Sequence, residues 1–440
     1  MLKNITKYFI FLLTLILLIF LLRNYNFTHY IRLILPTPIK NIIYGFIDFD
    51  FKKFEKKKYT LRKNFDEYSV KIVKLELFSN KTLNYSYYLN QNDNNIFLAT
   101  KTGRIFFLSK KQLFNQKKIT LKIINSNLKK IIGEEYIEDV TNVVKGILIV
   151  NQKIYISYID NNNGCYTNAI VAGDLNTKKI YFSPFIKIDE CNYRQTIQVG
   201  GNMQYFKNNK ILLTTGDHES YELGLQNNPQ NKNSYYGKIL SIDLTTKNID
   251  VLSMGHRNPQ GLFYDIKSDI VFSTDHGPQG GDEINVDINP NRNLIKNYGW
   301  AISSYGEHYG FPEGESERIK NDINLQTPLY KVAPLNKSHK EYNFEEPIKF
   351  FTPAIGITQI LRVSNSTNKD YKLLVGSMGF DKEEDDMTVH ILNFNSDFKE
   401  TKYEKIYIGE RIRDMIDLNN GFVLMSLEPN GSLGLLENIY

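Results

Sequence analysis

The residues richest in chemistry lie between Gly255 and Trp300. Three runs follow one another there: Gly-His-Arg-Asn-Pro-Gln-Gly-Leu (255–262), Asp-His-Gly-Pro-Gln-Gly-Gly-Asp-Glu-Ile-Asn (275–285) and Asn-Tyr-Gly-Trp (297–300). Gly216-Asp217 upstream and Glu-Arg-Ile-Arg-Asp (410–414) downstream add a carboxylate and a pair of arginines. The guanidinium groups of Arg257, Arg411 and Arg413 keep their charge and match carboxylates with a planar fork of donors. Each residue also has a plainer use. Arg257 could tie down a loop, Asp217 could be a turn residue after a strand, and Glu283 could be a surface carboxylate. His256 and His276 read as packing and hydrogen-bonding groups. No Ser/His/Asp arrangement or carboxylate pair of recognisable spacing occurs, which sets hydrolysis aside.

These residues need a scaffold, and the rest of the chain reads as many short strands. From about residue 66 onward, runs rich in Val, Ile, Tyr and Phe recur between Asn, Asp, Gly or Lys. Asn95–Thr100, Gly146–Val150, Lys210–Thr215, Ile270–Thr274, Lys372–Gly376 and Gly421–Ser426 are examples. Runs of this length and spacing predict an all-β body. No stretch keeps a long 3.6-residue apolar period, which argues against alternating strands and helices. An aromatic content of 13% fits pleated surfaces. About 370 residues exceed one ordinary sandwich, whereas six four-stranded blades of roughly 60 residues each absorb them. Residues 66–440 are therefore expected to form a six-bladed β-propeller.

The N-terminus reads differently. Ile5 to Leu22 is almost wholly apolar, long enough at about 1.5 Å per residue to cross a hydrocarbon core of about 30 Å. No small-x-small cleavage site follows it, which favours an uncleaved transmembrane helix within residues 1–24 over a signal peptide. Residues 25–65 read as a basic stalk. Residues 1–63 hold 12 Lys/Arg against 3 Asp/Glu, so the net charge of +6 belongs to this end. A basic stretch beside a membrane segment is drawn to anionic head groups. Without an accompanying basic-aromatic motif it does not suggest nucleic acid. Two cysteines exclude a disulfide-dense scaffold and a cysteine zinc site. Cys165 and Cys191 could pair in an oxidising compartment or stand as separate buried thiols.

The three runs, in this order, resemble the glucose/sorbosone dehydrogenase family, which includes aldose dehydrogenases that depend on pyrroloquinoline quinone. Gly237-Lys-Ile-Leu240, Pro353-Ala-Ile-Gly356 and the Arg411/Arg413 pair extend the likeness over about residues 95–440. The resemblance implies a six-bladed propeller outside the cytoplasm, oxidising a sugar or related alcohol with pyrroloquinoline quinone and calcium. The electron acceptor is left open. Arg257 and Asn258 match the pair that contacts the quinone oxygens, and Arg411 and Arg413 match the basic pair facing the cofactor carboxylates. Gly277 and Pro278 match a loop whose main-chain oxygens hold an active-site calcium. Glu283 and Tyr298 match a second, structural calcium pocket. Asp217 matches the carboxylate that orients the catalytic base.

The chain departs from that pattern where proton transfer is expected. The family's base is a His 19 residues before the Asp matched by Asp217, and counting back lands on Gln198. An amide cannot accept a proton near neutral pH. Gly379 stands where a cofactor-contacting Lys is expected, and Glu134 where a cofactor-facing Gln is expected. His218 and Glu219 could supply a substitute base only through a bent backbone. Two functions follow: a quinoprotein dehydrogenase, or a non-catalytic propeller that binds a glycan or a protein.

Overall fold

The computed structural model describes residues 57–59, 69–73 and 86–439, less 116–118, 120, 141, 193–196, 220–227, 279, 291–293, 307–338, 364–369, 380–385, 420 and 429–430. The expected membrane helix lies outside the described residues. Among the described residues no helix is long and apolar enough to cross a membrane. The described residues belong to one compact unit.

The described chain enters with β1 (Lys57–Tyr59) and β2 (Ser69–Val73). Blade 1 follows as β3 (Tyr87–Gln91), β4 (Asn95–Thr100), β5 (Ile105–Ser109) and β6 (Lys122–Ser126). Blade 2 comprises β7 (Val144–Val150), β8 (Lys153–Asn162), β9 (Cys165–Asp174) and β11 (Ser183–Lys187), while the short β10 (Lys179–Ile180) returns to the edge of blade 1. Blade 3 is β12 (Gly200–Phe206), β13 (Lys210–Thr215), β14 (Lys238–Asp243) and β15 (Ile249–Met254), with β19 (Lys296–Asn297) at its edge. Blade 4 is β16 (Pro259–Asp265), β17 (Ile270–Asp275), β18 (Asp282–Ile288) and β20 (Lys349–Phe351). Blade 5 runs β21 (Ile357–Arg362), β22 (Tyr371–Ser377), β23 (Thr388–Phe394) and β24 (Glu400–Tyr407). Blade 6 combines β25 (Arg411–Asn419), β26 (Phe422–Glu428) and β27 (Leu433–Glu437) with β2 and β1. The last blade is thus completed by the first strands, with β2 antiparallel to β27. The pairing reaches back into the stretch read as stalk.

The six sheets close into a ring. β3 touches β7, then β12, β16, β21, β25 and β3 again. Their contacts fix a common direction, because residues near the start of one innermost strand meet residues near the start of the next. Asn202 Nδ2 donates to Gln260 O (2.8 Å), and Leu89 N to Asp414 Oδ2 (2.7 Å). The apolar core is divided into wedges between neighbouring blades. Phe97, Ile105 and Ile156 fill one, Leu148, Ile211 and Leu240 another, and Leu374, Met415 and Met425 a third. Middle strands such as β4, NIFLAT, are buried on both faces and read as continuous apolar runs. A short helix, α1 (Lys110–Asn115), links β5 to β6 within blade 1, and two more, α2 (Leu128–Ile132) and α3 (Glu134–Val140), connect blades 1 and 2. Cys165 and Cys191 are joined by a disulfide, with Cα atoms 5.1 Å apart.

Candidate functional site

The common strand direction decides where the chemistry sits. Each innermost strand starts at one end of the ring, and its antiparallel neighbour finishes there. Gln198 precedes β12 and Asp217 follows β13. Arg257 and Asn258 precede β16, and Gly277 and Pro278 follow β17. Arg411 opens β25 opposite Glu428, the last residue of β26. Residues more than two hundred positions apart therefore face one end of the central channel.

Asp275 organises the Arg257 segment. Its Oδ2 accepts from Arg257 N (3.1 Å) and lies 3.2 Å from His256 Nδ1, while its Oδ1 accepts from Asn258 N (2.6 Å). The buried Arg257 guanidinium donates from Nη1 to Gly277 O (2.8 Å) and His276 O (3.2 Å), with its carbon 5.5 Å from the Trp300 ring centroid. Trp300 Nε1 donates to Asp217 Oδ2 (2.7 Å), and Asp217 N donates to Arg257 O (2.9 Å). Asp217, Arg257 and Trp300 are thereby locked together.

Gln198 is brought to the same place. It sits at φ +50°, and its carbonyl accepts from His218 N (3.0 Å). A Cβ on Gly216 would stand 1.9 Å from that carbonyl oxygen, so only glycine allows the approach. Gly200 N donates to Asn258 Oδ1 (3.3 Å), joining this turn to the Arg257 segment. His218 offers no substitute base. Its ring is fully buried against Tyr236 (4.7 Å between centroids), with Nε2 3.2 Å from Asn168 Oδ1. His256 lies against Tyr298 with Nε2 2.8 Å from Ser253 Oγ, a packing role as the sequence suggested. Burial, together with the Arg257 charge, holds His276 below its ordinary pKa against the pull of Asp282.

The residues expected to serve two calcium sites line a single cavity. Gly277, Pro278, Glu283 and Tyr298 surround it with Arg257 and Trp300, and its volume of about 10 Å³ is near the least room one water needs. Its acidic groups are engaged by protein donors. Glu283 Oε2 accepts from Asn285 Nδ2 (3.2 Å), and Oε1 lies 3.0 Å from His339 Nε2. Burial alone would lower the His339 pKa, but the Glu283 charge and hydrogen bond outweigh it and raise the value. Gly277 O already receives Arg257. Among the described residues no three acidic, His or Cys side chains converge on one point. Calcium needs six to eight oxygens, and this arrangement, with a guanidinium in its wall, does not fit one.

The arginine pair divides. Arg411 is the more open, its side chain 35% exposed, and donates from Nη1 to Gly379 O (3.0 Å). Arg413 is mostly covered, its side chain 12% exposed, and forks onto Glu428, with Nε 2.7 Å from Oε1 and Nη2 3.2 Å from Oε2. Lys101 Nζ, just beyond β4, lies 2.8 Å from the same Glu428 Oε1. Burial would raise the Glu428 pKa, yet Arg413 and Lys101 hold it well below the usual carboxylate range. Glu134 is not brought here: it is exposed at the start of α3, where its charge acts on Lys129. Sequence reasoning missed Glu428, Lys101 and Asp282. Asp282 is fully buried and accepts from Gly277 N, Ile355 N and Ile357 N, each at 3.0 Å, thereby seating two blades. Its place in the Gly-Gly-Asp-Glu run was the one signal available. Lys101 and Glu428 carry no local motif.

A family model described as Glucose / Sorbosone dehydrogenase matches residues 88–435. Aldose sugar dehydrogenase YliI of Escherichia coli (strain K12) is 28% identical over 192 residues, covering 42% of this chain and 43% of the relative. An uncharacterized Synechocystis protein is 25% identical over 258 residues, covering 54% of this chain and 56% of its own. The chain thus spans about half the length of these curated relatives. The apo crystal structure of the soluble aldose sugar dehydrogenase from Escherichia coli superposes with a TM-score of 0.60 at 17% identity, covering 84% of this chain and 99% of that one. That likeness concerns the fold.

Proposed function

The chain belongs to the glucose/sorbosone dehydrogenase family, and on that premise we propose that it is an exported, membrane-anchored quinoprotein of low turnover, binding pyrroloquinoline quinone at the channel end and accepting a sugar beside it. The observation that carries the reading is the arrival of Arg257, Asn258, Arg411 and Arg413 at one end of the ring. Guanidinium groups and an amide there suit a flat ligand with carboxylates at its rim. The disulfide between Cys165 and Cys191 supports an oxidising compartment. The apolar run 5–22 supports the anchor.

When bound, the quinone would accept the hydride from the sugar carbon. The chain's own part is to hold and polarise. Arg411 would meet a carboxylate, and Arg257, held by two carbonyls and the Trp300 face, would stand beside a developing negative charge. Asp217, which would orient a base, instead holds Trp300 and accepts from Glu219 N (2.9 Å). Gln198 can donate or accept a hydrogen bond but cannot take the sugar's proton. A positioned base contributes about 10²–10⁴-fold, so turnover is expected to fall by that factor. The second reading, a non-catalytic glycan- or protein-binding propeller, draws its support from the same Gln198.

The test uses the full-length chain in detergent. Calorimetric titration with pyrroloquinoline quinone should show binding, and Gln198→His should raise dye reduction across an aldose panel by about 10²–10⁴-fold. Absence of binding in the unmodified chain overturns the quinoprotein reading. Binding without any gain in Gln198→His shows that the base is not what limits turnover.

A further inference from the structure

Trp300 is the only tryptophan of the chain, and its indole joins Asp217 to Arg257 at the channel end. The backbone that carries it leaves β19 and is held by another segment of blade 3. Gln230 ends the short 3₁₀ helix Asn228–Gln230, between β13 and β14. Its Nε2 donates to Trp300 O (2.6 Å) and to Asn297 Oδ1 (3.1 Å), while its Oε1 accepts from Asn297 Nδ2 (2.8 Å). Two amides are thus clasped head to tail, and the remaining hydrogen of one reaches the tryptophan carbonyl. Asn297 Oδ1 also accepts from Gly299 N (3.0 Å). A Cβ on Gly255 would stand 2.2 Å from Asn297 Oδ1, so glycine there admits the clasp.

The clasp is itself seated. Lys238, fully buried at the start of β14, donates from Nζ to Asn228 O (2.7 Å), Pro229 O (3.1 Å) and Tyr236 O (2.7 Å). Gly255 N donates to Pro229 O (3.1 Å), and Trp300 N to Gly255 O (3.0 Å). Gln230 therefore reaches from a fixed helix to a residue 70 positions on. A side chain kept only to fill space would need no amide, whereas both ends of this one are spent on the Asn297–Trp300 segment. Trp300 Nε1 holds Asp217 and the Trp300 face carries Arg257, so any shift of the Trp300 backbone passes to both. Ligand sites depend on such supporting bonds to hold their groups within about 0.5 Å.

We propose that Gln230 is a positioning residue for the ligand at the channel end, acting through Trp300. It fixes the ring against which the Arg257 guanidinium lies and the donor that occupies Asp217. The proposal rests on reading the channel end as a pyrroloquinoline quinone site. It goes further by giving a role to a residue outside the runs that carry the family resemblance. Loss of the Gln230 donor leaves the Trp300 carbonyl without its amide, and the Trp300 ring is then free to shift away from Arg257.

The experiment compares the full-length chain in detergent with Gln230→Glu, which keeps the shape and the acceptor but sets a carboxylate oxygen against the Trp300 carbonyl. The control is Lys207→Met, which removes the Lys207–Asp269 pair (2.6 Å) at the far end of the ring. With one tryptophan in the chain, its emission reports on Trp300 directly. Emission, acrylamide quenching and calorimetric binding of pyrroloquinoline quinone are measured well below the melting temperature. Gln230→Glu should shift the emission, increase the quenching and bind the quinone about 10-fold more weakly, the cost of one lost buried hydrogen bond. Lys207→Met should match the parent in all three. Parent-like binding by Gln230→Glu, with or without a shifted emission, overturns the proposal and leaves the cofactor reading intact. Equal weakening in both variants assigns the effect to general stability and also overturns it. A parent that does not bind the quinone overturns the cofactor reading together with the proposal. Gln230→Met serves the same comparison if the glutamate variant does not fold.

Discussion

Glu428 is the counter-charge on which the basic end of the channel depends, and Glu428→Gln should show it. The substitution keeps shape and one acceptor but removes the negative charge between Arg413 (2.7 Å) and Lys101 (2.8 Å). Both arginine and carboxylate side chains are about one-tenth exposed, so solvent screens little of the loss. Breaking a buried pair from one side costs about 3–5 kcal/mol, and with Arg411 Nε also 3.9 Å from Glu428 Oε2 the upper half of that range is expected. At roughly 2 °C per kcal/mol for a large domain, the melting temperature should fall by about 8–10 °C. The assay is thermal melting at neutral pH and low salt, with Glu428→Gln/Arg413→Met as the closing corner of a double-mutant cycle. The double variant should recover part of the loss, because the stranded cation is gone. Added benzene-1,3,5-tricarboxylate should stabilise Glu428→Gln more than the parent, since the freed guanidinium can take an external anion. A Glu428→Gln variant melting within 1 °C of the parent would falsify the claim that this carboxylate neutralises the cluster.

Two further outcomes are expected. Asp414, raised to about 7 by burial, holds its proton in the folded chain over a range where the unfolded chain has lost it. Its contribution is therefore fully present below about pH 4 and lost as pH rises through about 7. Asp414→Asn should flatten that part of a denaturation series run from pH 4 to 8, and an unchanged slope refutes the assignment. Because the carboxylates around the Arg257 cavity are engaged by protein donors, treatment with a chelator should shift the melting temperature by less than about 1 °C. A fall of several degrees that added calcium restores would show that those donors reorganise around an ion.

How much could be read from the sequence depended on which strand of a blade was being read. Asn95–Thr100 and Lys210–Thr215 were found at their observed limits, because middle strands buried on both faces are continuous apolar runs. Innermost strands such as GGNMQYF and RIRDMIDLN mix glycine, charge and amide with apolar residues. They line the channel on one side, and their pattern falls below what periodicity detects. The chemistry sits at the starts of those strands, so motifs located it where secondary-structure reasoning was weakest. The sharing of Glu428 by Arg413 and Lys101 joins blades 1 and 6 across the closure of the ring. Nothing local in sequence marks a contact between positions more than three hundred residues apart. The calcium assignments show the opposite limit: the matched residues do gather, but Arg257 and His339 take up the oxygens that a metal would need.

The pairing of β2 with β27 has a consequence during synthesis. Ser69–Val73 leaves the ribosome about 360 residues before its partner Leu433–Glu437, a delay of roughly 20–70 s at ordinary elongation rates. Through that interval SVKIV is a β-prone segment without a sheet, and the ring has an open gap. The lysines within KKY and SVKIV act as charged gatekeepers over that wait. Ring completion then needs the most sequence-distant pairing in the molecule, so it should be the slow final event of folding. A chain cut short by even its last strand would leave β2 with only β1 beside it.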